Sequence, residues 1–315
     1  MELEAKRTNP LTHPLVIPLL ALLCCALWGS ATPAIKIGKQ LLAVDGVAST
    51  MLFAGIRFTF AGILTVLIYS IARRKFLYPR PENVGRVLTV SVFQTVIQYI
   101  FFYIGLSNTS GVKGTIASGS SAFFCVLIAS LIFRQEKLTV KKIVACVLGF
   151  AGIIAVNLNG LDLTMNFEGD GFVIISTVSY AFSSVLMKRF SKHEDPVVIS
   201  GYQFIVGGIF MVVVGLAFGG RVYFSDFPGY LMMGYLALLS AVAYAVWGLL
   251  LKYNPVSRVT IFSFTTPIFG TVLSMIFLAD EETNVHPVNL IITLVLVSVG
   301  ILLLNYAPRA KRENK

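Results

Sequence analysis

The stretch Gly46–Ala72, GVASTMLFAGIRFTFAGILTVLIYSIA, and the stretch Pro196–Gly220, PVVISGYQFIVGGIFMVVVGLAFGG, decide the fold when laid one on the other. Gly55, Arg57, Phe58, Gly62 and Ile63 fall on Gly201, Gln203, Phe204, Gly208 and Ile209, an offset of 146. Each stretch is long and apolar enough to cross a bilayer core, which takes roughly 17–25 residues of helix. The register continues outward. Tyr99 falls on Tyr244, and Thr115, Ile116, Ser118, Phe124 and Glu136 fall on Thr260, Ile261, Ser263, Phe269 and Glu281. Three residues later in register, Leu148, Gly152, Ile153 and Asn157 fall on Leu296, Gly300, Ile301 and Asn305. Chance pairing of Leu, Ile and Val does not place Arg/Gln, Glu/Glu and Asn/Asn pairs in order, so the chain is a duplication.

Further runs free of charge complete the count: Thr8–Ile35, Val87–Val112, Gly114–Phe133, Ile143–Leu161, Gly171–Met187, Phe227–Leu251, Val259–Ala279 and Thr283–Pro308. Ten spans divide into two sets of five. Hydrocarbon offers no partner to open backbone groups, so the spans are helices. An odd-numbered unit repeated in tandem inserts its second copy upside down, a transporter pattern. The expectation is an all-α integral membrane protein of ten transmembrane helices, built as two inverted five-helix repeats. The halves divide near Asn166, residues 1–165 and 166–315.

Composition agrees: 56% of the 315 residues are hydrophobic and 13% charged, against roughly 45–50% and 25% in soluble domains. The net charge of +10 raises nucleic acid as a partner, but its distribution answers otherwise. With the N-terminus inside, inner segments hold 20 of the 25 Lys and Arg, and only Lys36, Lys39, Lys113 and Arg221 lie outside. That asymmetry places both termini in the cytoplasm. Anionic membrane lipid is then the expected contact for the basic charge, and no nucleic acid partner is needed. The first apolar run is too long, and too well followed by others, for a cleaved leader.

Cys24, Cys25, Cys125 and Cys146 all fall within spans, so no disulfide framework is implied. His13, His193 and His286 stand at span ends without ligand partners, so no metal site is expected. No P-loop pattern, hydrolytic triad or mid-span carboxylate is present, so no cofactor is expected and the chain reads as a non-enzyme.

The order Trp28-Gly29, Lys36, Arg57-Phe58 and Tyr103-Ile104-Gly105-Leu106, with Arg134-Gln135-Glu136-Lys137-Leu138 and Gly149/Gly152 after it, resembles the EamA domain of the drug/metabolite transporter superfamily. Thr266-Pro267, Asp280-Glu281 and Gly300 echo it in the second copy. Two departures stand out: Ala122 where the second copy has Pro267, and Tyr180-Ala181 in place of Trp-Gly. The resemblance implies a ten-helix bundle with a central cavity open to one side at a time. Its members move amino acids, other metabolites or drugs, often outward.

Arg57 is the sharpest chemical feature. It lies twelve residues past Asp45 and sixteen before Arg73, roughly 18 Å and 24 Å along a helix. A guanidinium at that depth costs at least a few kcal/mol unless it faces a polar interior. It either favours a carboxylate-bearing substrate from the cavity wall or clamps helix-end carbonyls; its repeat partner is Gln203. Gln94 and Gln98 share one face of the third span with Tyr99 beside them, and Ser240, Tyr244 and Trp247 share one face of the eighth. Trp28 and Tyr180 hold equivalent positions in the two copies. Together with Arg57 and Gln203 these residues are the candidate substrate cavity, apolar faces with polar tips suited to a small organic solute. Packing or an interfacial belt is the alternative for any one of them. Glu136 and Glu281 are expected at opposite membrane faces in structural roles at helix ends. The leading function is a secondary transporter exporting an amino acid or related metabolite across the cytoplasmic membrane by alternating access. Multidrug efflux is the second reading and a non-transporting scaffold a third; oligomeric state is not set by the sequence.

Overall fold

A computed structural model describes residues 9–158, 164–278 and 286–305. Asp280 and Glu281, and with them the expected role of Glu281 at a helix end, lie outside the described residues.

Among the described residues ten helices follow in order: α1 (Val16–Leu41), α2 (Gly46–Ala72), α3 (Pro81–Ser107), α4 (Gly111–Ile132), α5 (Val140–Val156), α6 (Phe167–Phe190), α7 (Pro196–Ala217), α8 (Phe227–Tyr253), α9 (Val256–Phe277) and α10 (Pro287–Asn305). Nine of them are long and apolar enough to span a bilayer by a strict count, and α5, with 17 residues, sits at the lower limit. The ends differ from the charge-free runs for local reasons. α1 starts at Val16 rather than Thr8, after a 3₁₀ turn at Pro10–Thr12 capped by Asn9. It also runs past Lys36 to Leu41, because Lys39 in the last turn meets the negative end of the helix dipole. At its N-terminal end, α6 reaches back to Phe167, ahead of the charge-free run that starts at Gly171, and so buries Asp170. That carboxylate accepts from the Asn166 backbone N–H at 2.9 Å and from the Thr109 hydroxyl, and faces Lys113 at 3.8 Å.

The packing obeys the repeat. α2 packs on its own equivalent, α7, and α5 on its equivalent, α10; α1 packs on α8 and α9, while α6 packs on α3 and α4. Exchanging the two halves reproduces this pattern. A methyl added at Gly62 would lie 2.5 Å from the Gly201 carbonyl oxygen, and one at Gly55 2.8 Å from that of Gly208. Each glycine thus meets the equivalent of the other. Residue numbers rise along α2 as they fall along α7, so the two are antiparallel across a pseudo-twofold axis. α5 and α10 do the same, Gly152 facing Val297 and Gly300 facing Ala145. An axis that relates antiparallel spanning helices lies in the membrane plane, so the second half is inverted.

Three helices are interrupted. α3 widens into a π-helical stretch at Val92–Ile97. α4 breaks in a turn at Ser120, and its equivalent α9 tightens into 3₁₀ geometry at Ile261–Thr265, just before Pro267. Paired interruptions in equivalent helices of inverted repeats mark where such bundles place a site.

At the end of the bundle that carries the α2–α3, α4–α5, α6–α7 and α8–α9 connections, Glu136 joins the halves. Its carboxylate accepts from the Ser257 backbone N–H at 3.2 Å, the Ser257 hydroxyl at 2.5 Å and the Lys142 ammonium at 2.7 Å. Burial pushes this carboxyl up, but the bonds from Lys142 and Ser257 outweigh it, and the net effect holds it below its ordinary value of 4.5. A depressed folded value means a stabilising contribution that is full above the unfolded value and lost as pH falls through the folded one. Thermal stability in detergent should therefore drop as pH is lowered below about 4.5. Glu136→Gln should remove that part of the profile, and an unchanged profile would contradict the assignment.

Candidate functional site

The aromatic and polar residues near the pseudo-twofold axis assemble from α1, α2, α3, α7 and α8. Phe58 and its equivalent Phe204 stack on each other, rings parallel within 5° and centroids 5.0 Å apart. Tyr99 and its equivalent Tyr244 share a hydroxyl–hydroxyl hydrogen bond of 2.8 Å. Both pairs sit on the axis, since each joins a residue to its own copy. Trp28 closes the cluster, edge-on to Tyr244 at 5.1 Å and to Trp247 at 4.9 Å.

Arg57 breaks the symmetry. Its side chain, 3% exposed, donates from Nε and Nη2 to the Ser240 hydroxyl at 3.1 and 2.9 Å, and its guanidinium lies 5.0 Å from the Phe58 ring centroid. The equivalent of Arg57 is Gln203, and at the local offset of 145 the equivalent of Ser240 is Thr95. That second junction also forms: the Thr95 hydroxyl donates to Gln203 Oε1 at 2.6 Å. One junction is charged and its copy is neutral. No carboxylate among the described residues pairs with Arg57.

Several buried polar atoms have no hydrogen-bond partner among the described residues: the indole N–H groups of Trp28 and Trp247, the amide oxygens of Gln94 and Gln98, Gln203 Nε2 and the Thr266 hydroxyl. Each such group costs about 1–3 kcal/mol when left unsatisfied, so a solute with complementary donors and acceptors would gain by reaching them. Gln94 lies within the π-helical stretch of α3 and Gln98 just after it.

The candidate residues are not one surface. Arg57 and Ser240 connect to Tyr99 and Tyr244 through Phe58 and Phe204, whose ring centroids lie 4.4 Å from that of Tyr99 and 4.8 Å from that of Tyr244, and Tyr244 connects in turn to Trp28 and Trp247. Gln203 is held by Thr95 and, at its carbonyl, by the Ser91 hydroxyl at 2.9 Å, in the α3–α7 seam. Tyr180, on α6, lies beside Cys125 and Ser184 and within electrostatic reach of Tyr99 and Tyr244. Trp28 turns toward α8. Sequence reasoning passed over the interrupted stretches of α4 and α9, where Ser121 and Ser263 hydroxyls approach to 3.4 Å and the Thr266 hydroxyl lies beside the Cys25 thiol. The signal was there: Ser118–Ser121 and Ser263–Thr266 are polar runs at equivalent places inside apolar spans.

Comparison with known proteins adds a lineage. Residues 15–158 and 167–306 each match the EamA-like transporter family. A WAT1-related chloroplast protein of Arabidopsis thaliana is 23% identical over 86% of this chain, which spans 66% of that protein's length. An uncharacterized transporter of Archaeoglobus fulgidus is 24% identical over 81% of this chain and 88% of its own length. The uncharacterized transporter YvbV of Bacillus subtilis is 24% identical over 91% and 90%. A crystal structure of a protein 16% identical superposes with a TM-score of 0.75 over 91% of this chain and 96% of that one, a likeness of fold alone.

Proposed function

Because the chain belongs to the EamA-like transporter family, we propose that it is a secondary transporter of a small carboxylate-bearing metabolite, an amino acid or a close relative. The observation that carries this reading is the inequality of two equivalent junctions. Gln203 and Thr95 join their helices without charge. The Arg57–Ser240 junction therefore does not need a guanidinium for packing, and a buried charge costs at least a few kcal/mol. A cation with no carboxylate beside it among the described residues, within electrostatic reach of Tyr99, Tyr103 and Tyr244, suits a solute that brings its own carboxylate. The substrate's apolar part would lie on the aromatic faces, and the unpartnered groups of Gln98, Trp28 and Thr266 would take its remaining polar atoms.

Alternating access would exchange openings at the two ends of the bundle, with the two halves of residues 1–165 and 166–315 moving about the α2–α7 contact. We place both termini in the cytoplasm and assign the direction as export across the cytoplasmic membrane, on the basic-residue asymmetry and the family resemblance. Membrane lipid is the other expected contact, and neither nucleic acid nor a cofactor has a role in the proposal. Organic cations fit less well, since among the described residues no acid stands beside the cluster.

Two measurements test this. Cells with and without the gene, exposed to a panel of amino acids, other carboxylates and cationic drugs, should differ in growth and accumulation for carboxylates. Protection against cationic drugs alone would favour multidrug efflux instead. For topology, single cysteines are convenient because the four native ones are buried. A cysteine at Lys75 should resist impermeant reagents in intact cells, whereas one at Asp45 should react. Labelling at the Lys75 position would reverse the orientation.

A further inference from the structure

Away from the central cluster, the bundle carries a polar concavity, a groove of about 660 Å³ where the α2–α3 and α6–α7 connections meet the end of α8. Its lining includes Arg73, Lys75, Arg80, Lys192 and Lys252 against only two acids, Glu194 and Asp195. Both acids are already engaged. Asp195 pairs with Arg73 at 2.6 Å and caps α7 by accepting from the Val197 N–H at 2.9 Å. Glu194 accepts from the Arg80 backbone N–H at 2.9 Å, from Asn83 Nδ2 at 3.0 Å and from the Asp195 N–H at 3.0 Å. Lys75, Lys192 and Lys252 are left without a carboxylate partner among the described residues. On the same connection Phe76 and Tyr78 are 60% and 62% exposed.

We propose that this groove is a binding site for the phosphodiester headgroup of an anionic phospholipid. The surplus ammonium groups supply the charge that a phosphate requires. The exposed aromatics stand where a spanning helix ends, at the depth where rings with polar tips sit among headgroups. A soluble anion would have no use for them, which favours lipid over free phosphate. Basic pockets between spanning helices on the cytoplasmic side are a known means of holding such headgroups. The groove is walled by both halves, residues 73–80 from the first and 191–198 from the second, already tied through Arg73–Asp195. A lipid seated there clamps the halves together at one end. Assigning it to the inner leaflet rests on the orientation proposed above, which cysteine labelling checks separately.

The test uses purified full-length protein in micelles doped with phosphatidylglycerol or phosphatidylcholine, with retained lipid read by native mass spectrometry and stability by thermal melting. Phosphatidylglycerol should be retained and should raise the melting temperature, phosphatidylcholine should do neither, and excess inorganic phosphate should not displace it. Lys75→Gln with Lys192→Gln, both exposed positions, should weaken retention by roughly tenfold to thirtyfold. Lys137→Gln with Lys141→Gln, equally exposed on the same side but outside the groove, should leave it unchanged. Equal retention of both lipids, or an equal loss in the two double variants, would overturn the site. Displacement by inorganic phosphate would overturn the lipid and leave a site for a free anion.

Discussion

Arg57→Gln is expected to leave the protein folded in the membrane and to weaken binding of the carboxylate-bearing solute proposed for it by roughly tenfold to hundredfold, the range set by a hydrogen bond to a charged group, about 1.5–3 kcal/mol. The expectation of an intact fold comes from the molecule itself. Glutamine at the equivalent position, Gln203, bonds to the hydroxyl of Thr95, and Ser240 offers the same hydroxyl on α8. The variant would in effect make the first half resemble the second. Arg57→Lys keeps the charge but loses the planar fork that contacts Ser240 through two nitrogens, so its loss should be smaller than that of the glutamine variant. Solute binding by calorimetry, alongside size-exclusion profiles of each variant, separates the two roles. Normal binding in the glutamine variant, or failure of both variants to accumulate, would make Arg57 a structural residue.

Gly62→Val is expected to have the largest effect on the fold. A Cβ there would lie 2.5 Å from the Gly201 carbonyl oxygen and 2.7 Å from the Ile205 nitrogen, both backbone atoms of α7. No rotamer change relieves that, so the two helices would have to part along the axis that joins the halves. Overpacking typically costs 1–3 kcal/mol, and a clash with fixed backbone belongs above that range. Adding Gly55→Val, whose Cβ would lie 2.6 Å from the Val212 nitrogen, should abolish a monodisperse species. Gly234→Ala is the control, because nothing lies within 4 Å of its added methyl. Size-exclusion chromatography after a heating series checks all three. A Gly62→Val protein as stable as the control would contradict the close α2–α7 crossing.

Much of the architecture was legible because bilayer thickness and backbone satisfaction leave so few choices. Apolar run length gave the helices, and the order of pairs such as Arg57/Gln203 and Tyr99/Tyr244 gave the repeat. Helix ends were less legible. A run of uncharged residues stops at Lys36, whereas the α1 helix ends where its last carbonyls can be met, at Leu41. The burial of Asp170, just ahead of the charge-free run at Gly171, was not legible because its partners, Thr109 and Lys113, come from the preceding α3–α4 connection and α4. The interruption in α4 was visible only as clustered Ser and Thr, which also occur in unbroken helices, whereas that in α9 was marked by Pro267 as well.

The central residues show the same division. Periodicity set Ser240, Tyr244 and Trp247 on one face of α8, and depth singled out Arg57. No periodicity says that Arg57 reaches Ser240, or that Tyr99 bonds its own copy; those are tertiary facts. The repeat offset did hold a usable clue. It pairs Thr95 with Ser240 and Gln203 with Arg57, so one junction implies the other.

The central claim is that the Arg57 cluster recognises the carboxylate of a transported solute. Counterflow in proteoliposomes tests it most directly, with labelled solutes drawn from amino acids, other carboxylates and organic cations. Wild-type protein should show saturable counterflow of a carboxylate-bearing solute, largely lost in Arg57→Gln. Counterflow of organic cations alone, undiminished in Arg57→Gln, would contradict it.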